Sequence, residues 1–307
     1  MTFACPSLSL RYHNFDDPRT AGAELAYGYD IAKAPPSGPA FQPNKETAMD
    51  LGIAGRTALV CASSRGLGRA CAEALAAEGV DVVINGRGAD SLARTLAEMK
   101  AACKVSVTAV EADITTGDGR AKILAACPKP DILVNNNAGP EPKAILETTH
   151  DDWMSAIEGN MVAALMLTQA VLPAMVERKF GRIINITSAM VTTPRAHQAL
   201  SSGARSGLTA VMKGMSRDFA RHNVTFNNLL PERFDTGRQV QLAERMMKLK
   251  GWTREQARAD QVSQIPAARY GQPSEFGATC AFLCSQHAGF ISGMNMHLDG
   301  AAYPALL

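Results

Sequence analysis

Gly66-Leu67-Gly68 follows four apolar residues, Ala58 to Cys61, and a turn of small residues, and it opens a helix-forming run. Glycines at such a turn let the backbone close on a phosphate. The unpaired amides and positive dipole end of the next helix then point at the anion. Strand, glycine turn and helix start are thus what a dinucleotide pyrophosphate needs; a plain tight strand-to-helix connection would look the same. The next apolar run ends in Ile84-Asn85-Gly86-Arg87. An acid there would bond the ribose hydroxyls of NAD. Arginine stands in its place, and Arg65 lies in the glycine turn. Planar guanidinium forks match phosphate oxygens, so the pair favours a 2′-phosphate, and hence NADP(H), over the alternative of two solvated surface charges.

Those groups need elements to hold them. Strands are predicted over residues 58–61, 80–84, 104–110, 131–134, 182–186, 224–229 and 295–298. Helices are predicted over 68–78, 89–102, 114–127, 149–177, 201–221 and 274–285, with a helical insertion over 238–261. Repeated β-α units of this length imply an α/β fold: a doubly wound parallel sheet between two helical layers, in one domain over 51–307. Ligands then belong at the carboxyl ends of the strands. Residues 1–50 differ. Six prolines and few apolar repeats mark an extension outside the core, and no chemistry is assigned to it.

Composition narrows the function. The 307 residues are 46% hydrophobic and 20% charged, enough for a sizeable core, and the net charge of +2 is too small to argue for nucleic acid or an anionic membrane. No apolar run is expected to reach the length of a membrane span, about 18 residues or more, and no secretory signal is expected at the N-terminus. The seven cysteines form no C-x-x-C pair and sit mostly in apolar segments, which fits free thiols in a reducing cytoplasm. Cys280 and Cys284 are four apart, but no histidine cluster accompanies them, so no metal site is expected.

Further motifs line up behind the glycine turn. Asp113 follows the third strand. Asp131-Ile-Leu-Val-Asn-Asn-Asn-Ala-Gly139 ends the fourth, and Asn160 lies in the long helix. Gly181-Arg-Ile-Ile-Asn-Ile-Thr-Ser188 ends the fifth strand, and Asn227-Asn-Leu-Leu-Pro231 the sixth, with Thr236 beyond. In this order they make the chain resemble the short-chain dehydrogenase/reductase family, nearest to 3-oxoacyl-[acyl-carrier-protein] reductases. The resemblance implies a Rossmann-type sheet, a small carbonyl or alcohol substrate and a homotetramer. The tetramer would pair the helices holding Asn160 and residues 201–221 at one interface, and residues 274–298 at another. It places cofactor contacts at Ser63, Arg65, Gly66, Leu67, Gly68, Arg87, Asp113, Asn136, Pro231 and Thr236. It makes Asn160 and Ser188 catalytic.

The departures bear on the chemistry. Where the family has its Tyr-x-x-x-Lys pattern, this chain reads Ser201-Ser-Gly-Ala-Arg205, and no tyrosine lies between Tyr29 and Tyr270. Asn137 is extra or substituted in the fourth-strand motif, and Glu232 follows Pro231 where the family has glycine. A serine hydroxyl is a far poorer acid than a phenol, and arginine does not give up its proton. Arg205 could instead hold a ribose hydroxyl or steady an alkoxide electrostatically. Ser201 and Arg205 share a helix face at i and i+4. Water relayed by Ser188 or Ser201 is then the expected proton source, with His197 a further candidate acid. Two functions follow: an NADP(H)-dependent oxidoreductase with altered proton delivery, or a silent NADP(H)-binding subunit.

Overall fold

Short, largely apolar strands separated by helices close into one parallel sheet, the central strands buried on both faces. The computed structural model describes residues 49–306, so the extension read over 1–50 lies outside the described residues save Met49 and Asp50. The seven strands are β1 (Thr57–Val60), β2 (Asp81–Gly86), β3 (Val107–Glu111), β4 (Ile132–Asn135), β5 (Gly181–Ile186), β6 (Val224–Pro231) and β7 (Asn295–Leu298). Their order is β3-β2-β1-β4-β5-β6-β7, all parallel. Val60 of β1 sits opposite Ile84 on one side and Val134 on the other.

Successive side chains of β1 point to opposite faces. Ala58 and Val60 pack with Cys71 and Leu75 of α1 (Gly66–Ala77), Leu92 and Met99 of α2 (Ala89–Ala102), and Phe276 and Cys280 of α9 (Pro273–Cys284). Leu59 and Cys61 pack the other way, with Ile123 of α3 (Gly117–Ala126), Leu167 and Val171 of α5 (Ala163–Glu177), and Leu208 and Met212 of α6 (Ala199–Phe219). This is the expected three-layer α/β architecture. The chain leaves β1 toward β2 and later returns to β4 on its other side, so a crevice opens beyond their carboxyl ends.

Local chemistry moved several boundaries. The third helix starts at Gly117 rather than near residue 114, because the Thr116 side chain caps it at Gly119 N (3.0 Å) and Asp113 turns the preceding chain by accepting Thr115 N (2.9 Å). The insertion is two helices, α7 (Gly237–Lys250) and α8 (Arg254–Ser263). Gly251 ends the first at φ +67°, and a Thr253–Gln256 capping box begins the second. The helix foreseen over 149–177 is interrupted. α4 (His150–Ile157) passes through a π-helical turn, Glu158–Val162, before α5. Contrary to expectation, His150–Glu177 is long and apolar enough to cross a bilayer, but half of its most apolar window is buried. Leu167, Val171 and Met175 lie wholly inside the core, as in the core helix of a globular domain.

Candidate active site

A cleft of about 1070 Å³ lies over the carboxyl ends of the strands. One end of it is built by the β1–α1 turn. Gly66 sits at φ +61°, a left-handed conformation that favours glycine. Arg65 holds the N-cap position with extended backbone and no side-chain cap, which leaves the first amides of α1 open to an anion. At Gly68 a Cβ would lie 2.5 Å from the Ala62 carbonyl oxygen and 2.7 Å from Asn136 Nδ2, so only glycine fits. Asn136 Nδ2 donates to that same Ala62 oxygen (3.1 Å), fastening the β4 end to the turn.

Arg65, Gly66, Leu67, Arg87, Asp113, Asn136, Pro231 and Thr236 all line this cleft. Arg87 is exposed and stands 3.5 Å from Asp113. Burial alone would raise the Asp113 carboxyl, but bonds from the Thr115 amide and hydroxyl, with the Arg87 charge, hold it below its ordinary value. Ser63 and Gly68 do not line the cleft. Ser63 is fully buried. Its hydroxyl donates to Val60 O (2.7 Å) and accepts from Asn85 N (2.9 Å), tying β1 to β2. Gly68 serves by close packing.

At the other end, Ser188, Ser201 and Arg205 line the same cleft as Gly66 and Leu67. Ser188 lies two residues beyond β5 and caps the next turn by accepting Met190 N (3.2 Å), so its own proton remains to donate. Ser201 makes no side-chain hydrogen bond among the described residues. Arg205 is buried rather than turned to solvent. Its Nη1 donates to Ile186 O (2.7 Å) and Thr187 O (2.9 Å), and Nη2 reaches Asn137 O at 3.4 Å. Nε is buried without a partner. Burial pushes its pKa down to about 10, and the Arg238 charge acts in the same direction. The guanidinium therefore first braces the β4 and β5 ends, and offers the cleft its charge and one Nη2 proton.

Asn160 stands apart from these groups. It sits in the π turn, is buried, and does not line the cleft. Its Nδ2 lies 3.4 Å from Ala156 O, and its Oδ1 has no partner. Asn137, the irregular residue of the β4 motif, explains how the π turn is held: its Nδ2 donates to Gly159 O (2.9 Å) while its carbonyl receives Arg205. Arg205, Asn137 and Gly159 thus form one relay from α6 to the π turn.

Among the described residues, no tyrosine, lysine, histidine or cysteine lines the cleft. Tyr270 does not line the cleft but stands behind its wall, donating to Oε1 of the lining residue Gln261 (2.5 Å). His197, a candidate acid from sequence, is exposed outside the cleft, its carbonyl taken by Lys143 N (2.9 Å). Sequence reasoning missed a charged group at the mouth. Glu232, with only 11% of its side chain exposed, meets Arg195 (3.3 Å) and Arg233 (3.5 Å). Arg238 of α7 reaches Glu141 on the β4 loop (2.9 Å). The only sequence signal for either was Glu232 standing in a glycine position.

An uncapped helix N-terminus, a cleft at the switch point of a parallel sheet and strand-end serines facing it define a dinucleotide-binding α/β protein of the oxidoreductase type. The chain belongs to the short-chain dehydrogenase family, whose model matches residues 56–246. It is 31% identical over 256 residues to a 3-oxoacyl-[acyl-carrier-protein] reductase of Vibrio harveyi, covering 82% of this chain and 99% of the relative. It is 30% identical over 256 residues to an NADPH-dependent reductase of Bacillus subtilis, again covering 82% and 99%. L-sorbose reductase from Gluconobacter frateurii, solved with NADPH and L-sorbose, superposes with a TM-score of 0.80 at 27% identity, covering 84% of this chain and all of that one.

Proposed function

We propose that the protein is an NADP(H)-dependent oxidoreductase acting on a small carbonyl or alcohol, with Ser188 and Ser201 in place of a tyrosine-centred acid. The observation that carries this is one cleft lined at one end by Arg65, Gly66 and Arg87 and at the other by Ser188, Ser201 and Arg205. The cofactor fits the residues present: open α1 amides for the pyrophosphate, and an exposed Arg87 with Arg65 for a 2′-phosphate. NADPH, when bound, supplies a hydride. Ser188 and Ser201 orient the substrate oxygen by hydrogen bonds, and water brings the proton through them. Arg205 adds a fixed positive charge near developing alkoxide charge, and Asn160 acts through the π turn that Asn137 holds.

A second reading, a silent NADP(H)-binding subunit, draws on the same cleft, since no ordinary acid lines it and Arg205 already serves three carbonyls. NADPH absorbance followed with 3-oxoacyl thioesters, diketones and quinones separates the two. Consumption with any of them supports the enzyme, whereas tight binding without consumption supports the subunit.

The reading includes a homotetramer. Met154, Met166 and Val211 are exposed on α4, α5 and α6, and Phe282, Phe290 and Met294 near the C-terminal strand, as two apolar interfaces would need. Light scattering showing a stable monomer would defeat it. A cytoplasmic location rests on the thiols. The six described cysteines are free, all but Cys103 are buried, and burial holds the Cys61 thiol up at about 12.

A further inference from the structure

Charge in the substrate half of the cleft is unbalanced in a way that the cofactor does not explain. Four arginines line it: Arg195, Arg205, Arg233 and Arg238. Glu232 answers two of them, Arg195 and Arg233. Arg205 meets only main-chain carbonyls. Arg238 has Glu141 alone, and the Glu141 side chain is 81% exposed. An ion pair so open to water holds weakly, and a competing carboxylate can displace it. Acceptors also stand unanswered. Gln239, next to Arg238 and 7% exposed, has its Oε1 buried without a partner, and so does Gln198. Both line the cleft. Buried acceptors ask for a donor.

We propose that the substrate is a small hydroxy or oxo acid whose carboxylate takes Arg238 from Glu141, while its reacting oxygen faces Ser188 and Ser201. This rests on the oxidoreductase reading above and narrows its substrate class. Bound anion charge offsets the mutual repulsion of Arg205 and Arg238. A neutral ketone leaves Arg238 on its exposed partner and the cleft with surplus positive charge. A guanidinium–carboxylate contact inside a cleft also gives orientation, because its paired bonds fix the plane of the acid.

The test uses the full chain saturated with NADP⁺ and calorimetric titration with lactate, 3-hydroxybutyrate and malate, each against its methyl ester. At least one acid should bind roughly ten- to a hundredfold more tightly than its ester, the range for a charged hydrogen-bonded contact. Arg238→Gln should abolish that preference. Glu141→Gln, which removes the competing carboxylate, should strengthen acid binding severalfold and guards against a folding defect in the first variant. Esters binding as well as every acid, no binding by any probe, or an unchanged preference in Arg238→Gln would each overturn the proposal. Failure of NADP⁺ itself to bind condemns the oxidoreductase reading and this proposal with it. Binding of NADP⁺ without acid preference condemns only this one.

Discussion

Replacing Arg205 by methionine tests whether the guanidinium is a brace or merely a ligand group. Burial, and with it the charge of Arg238, moves its pKa from 12.5 to about 10, an electrostatic cost of about 3 kcal/mol at 1.36 kcal/mol per unit. Against this stand the bonds to Ile186 O and Thr187 O, at 2.7 and 2.9 Å. Bonds to a charged group contribute about 1.5–3 kcal/mol each, so the two together contribute about 3–6 kcal/mol, which offsets the cost and exceeds it at mid-range. Methionine removes the charge and its penalty, fills similar space, and leaves both carbonyls without their donor. At the middle of that range the net loss is about 1–2 kcal/mol, or a fall in Tm of about 2–8 °C for a domain of this size. Urea unfolding followed by fluorescence is a suitable assay, because the Trp153 ring of α4 packs beside Gly203 of α6. An unchanged or raised stability in Arg205→Met would refute the bracing role, since it would mean that the carbonyls never needed the arginine.

Arg87→Ala should weaken NADPH roughly tenfold and leave NADH unchanged; an equal loss for both cofactors would contradict a 2′-phosphate contact. The double exchange S201Y/R205K places a phenol and an ammonium one turn apart in the cleft and should raise carbonyl reduction at least about tenfold. A folded variant, by circular dichroism, with no gain would show that the missing acid does not limit the rate. Asp152 is held at about 2, from 3.8, by Lys143 and then by the Thr149 amide and hydroxyl in the α4 capping box. A carboxyl depressed in the folded state stabilises above its unfolded value and ceases to do so as the pH falls through its folded one. The Tm gap between the native chain and Asp152→Ala should therefore be full at pH 5 and close as the pH falls from about 4 toward 2. A gap that stays constant would contradict it.

Much of this protein was legible in its sequence where the determining forces are local. The β1–glycine-turn–α1 unit follows from a short continuous apolar run, one residue that must adopt positive φ, and one that must admit a close carbonyl. Arg87 just past β2 and Ser188 just past β5 are placed by the strands themselves, since the residues that follow a strand's carboxyl end meet the ligand edge wherever that strand lies in a parallel sheet. The tertiary structure decided what those groups do with their hydrogen bonds. Ser63 turned inward because Asn85, 22 residues on, needed an acceptor. Arg205 became a brace because the sheet order brought the β5 end and Asn137, 68 residues back, under one guanidinium. The π turn around Asn160 and the Arg238–Glu141 pair, 97 residues apart, arise the same way. Period and propensity act over a few residues, whereas the partner of a buried polar group is chosen by crossovers that join distant segments. The sequence therefore determined the fold and the cofactor end of the cleft, and only the packed sheet could decide the charge arrangement at its substrate end.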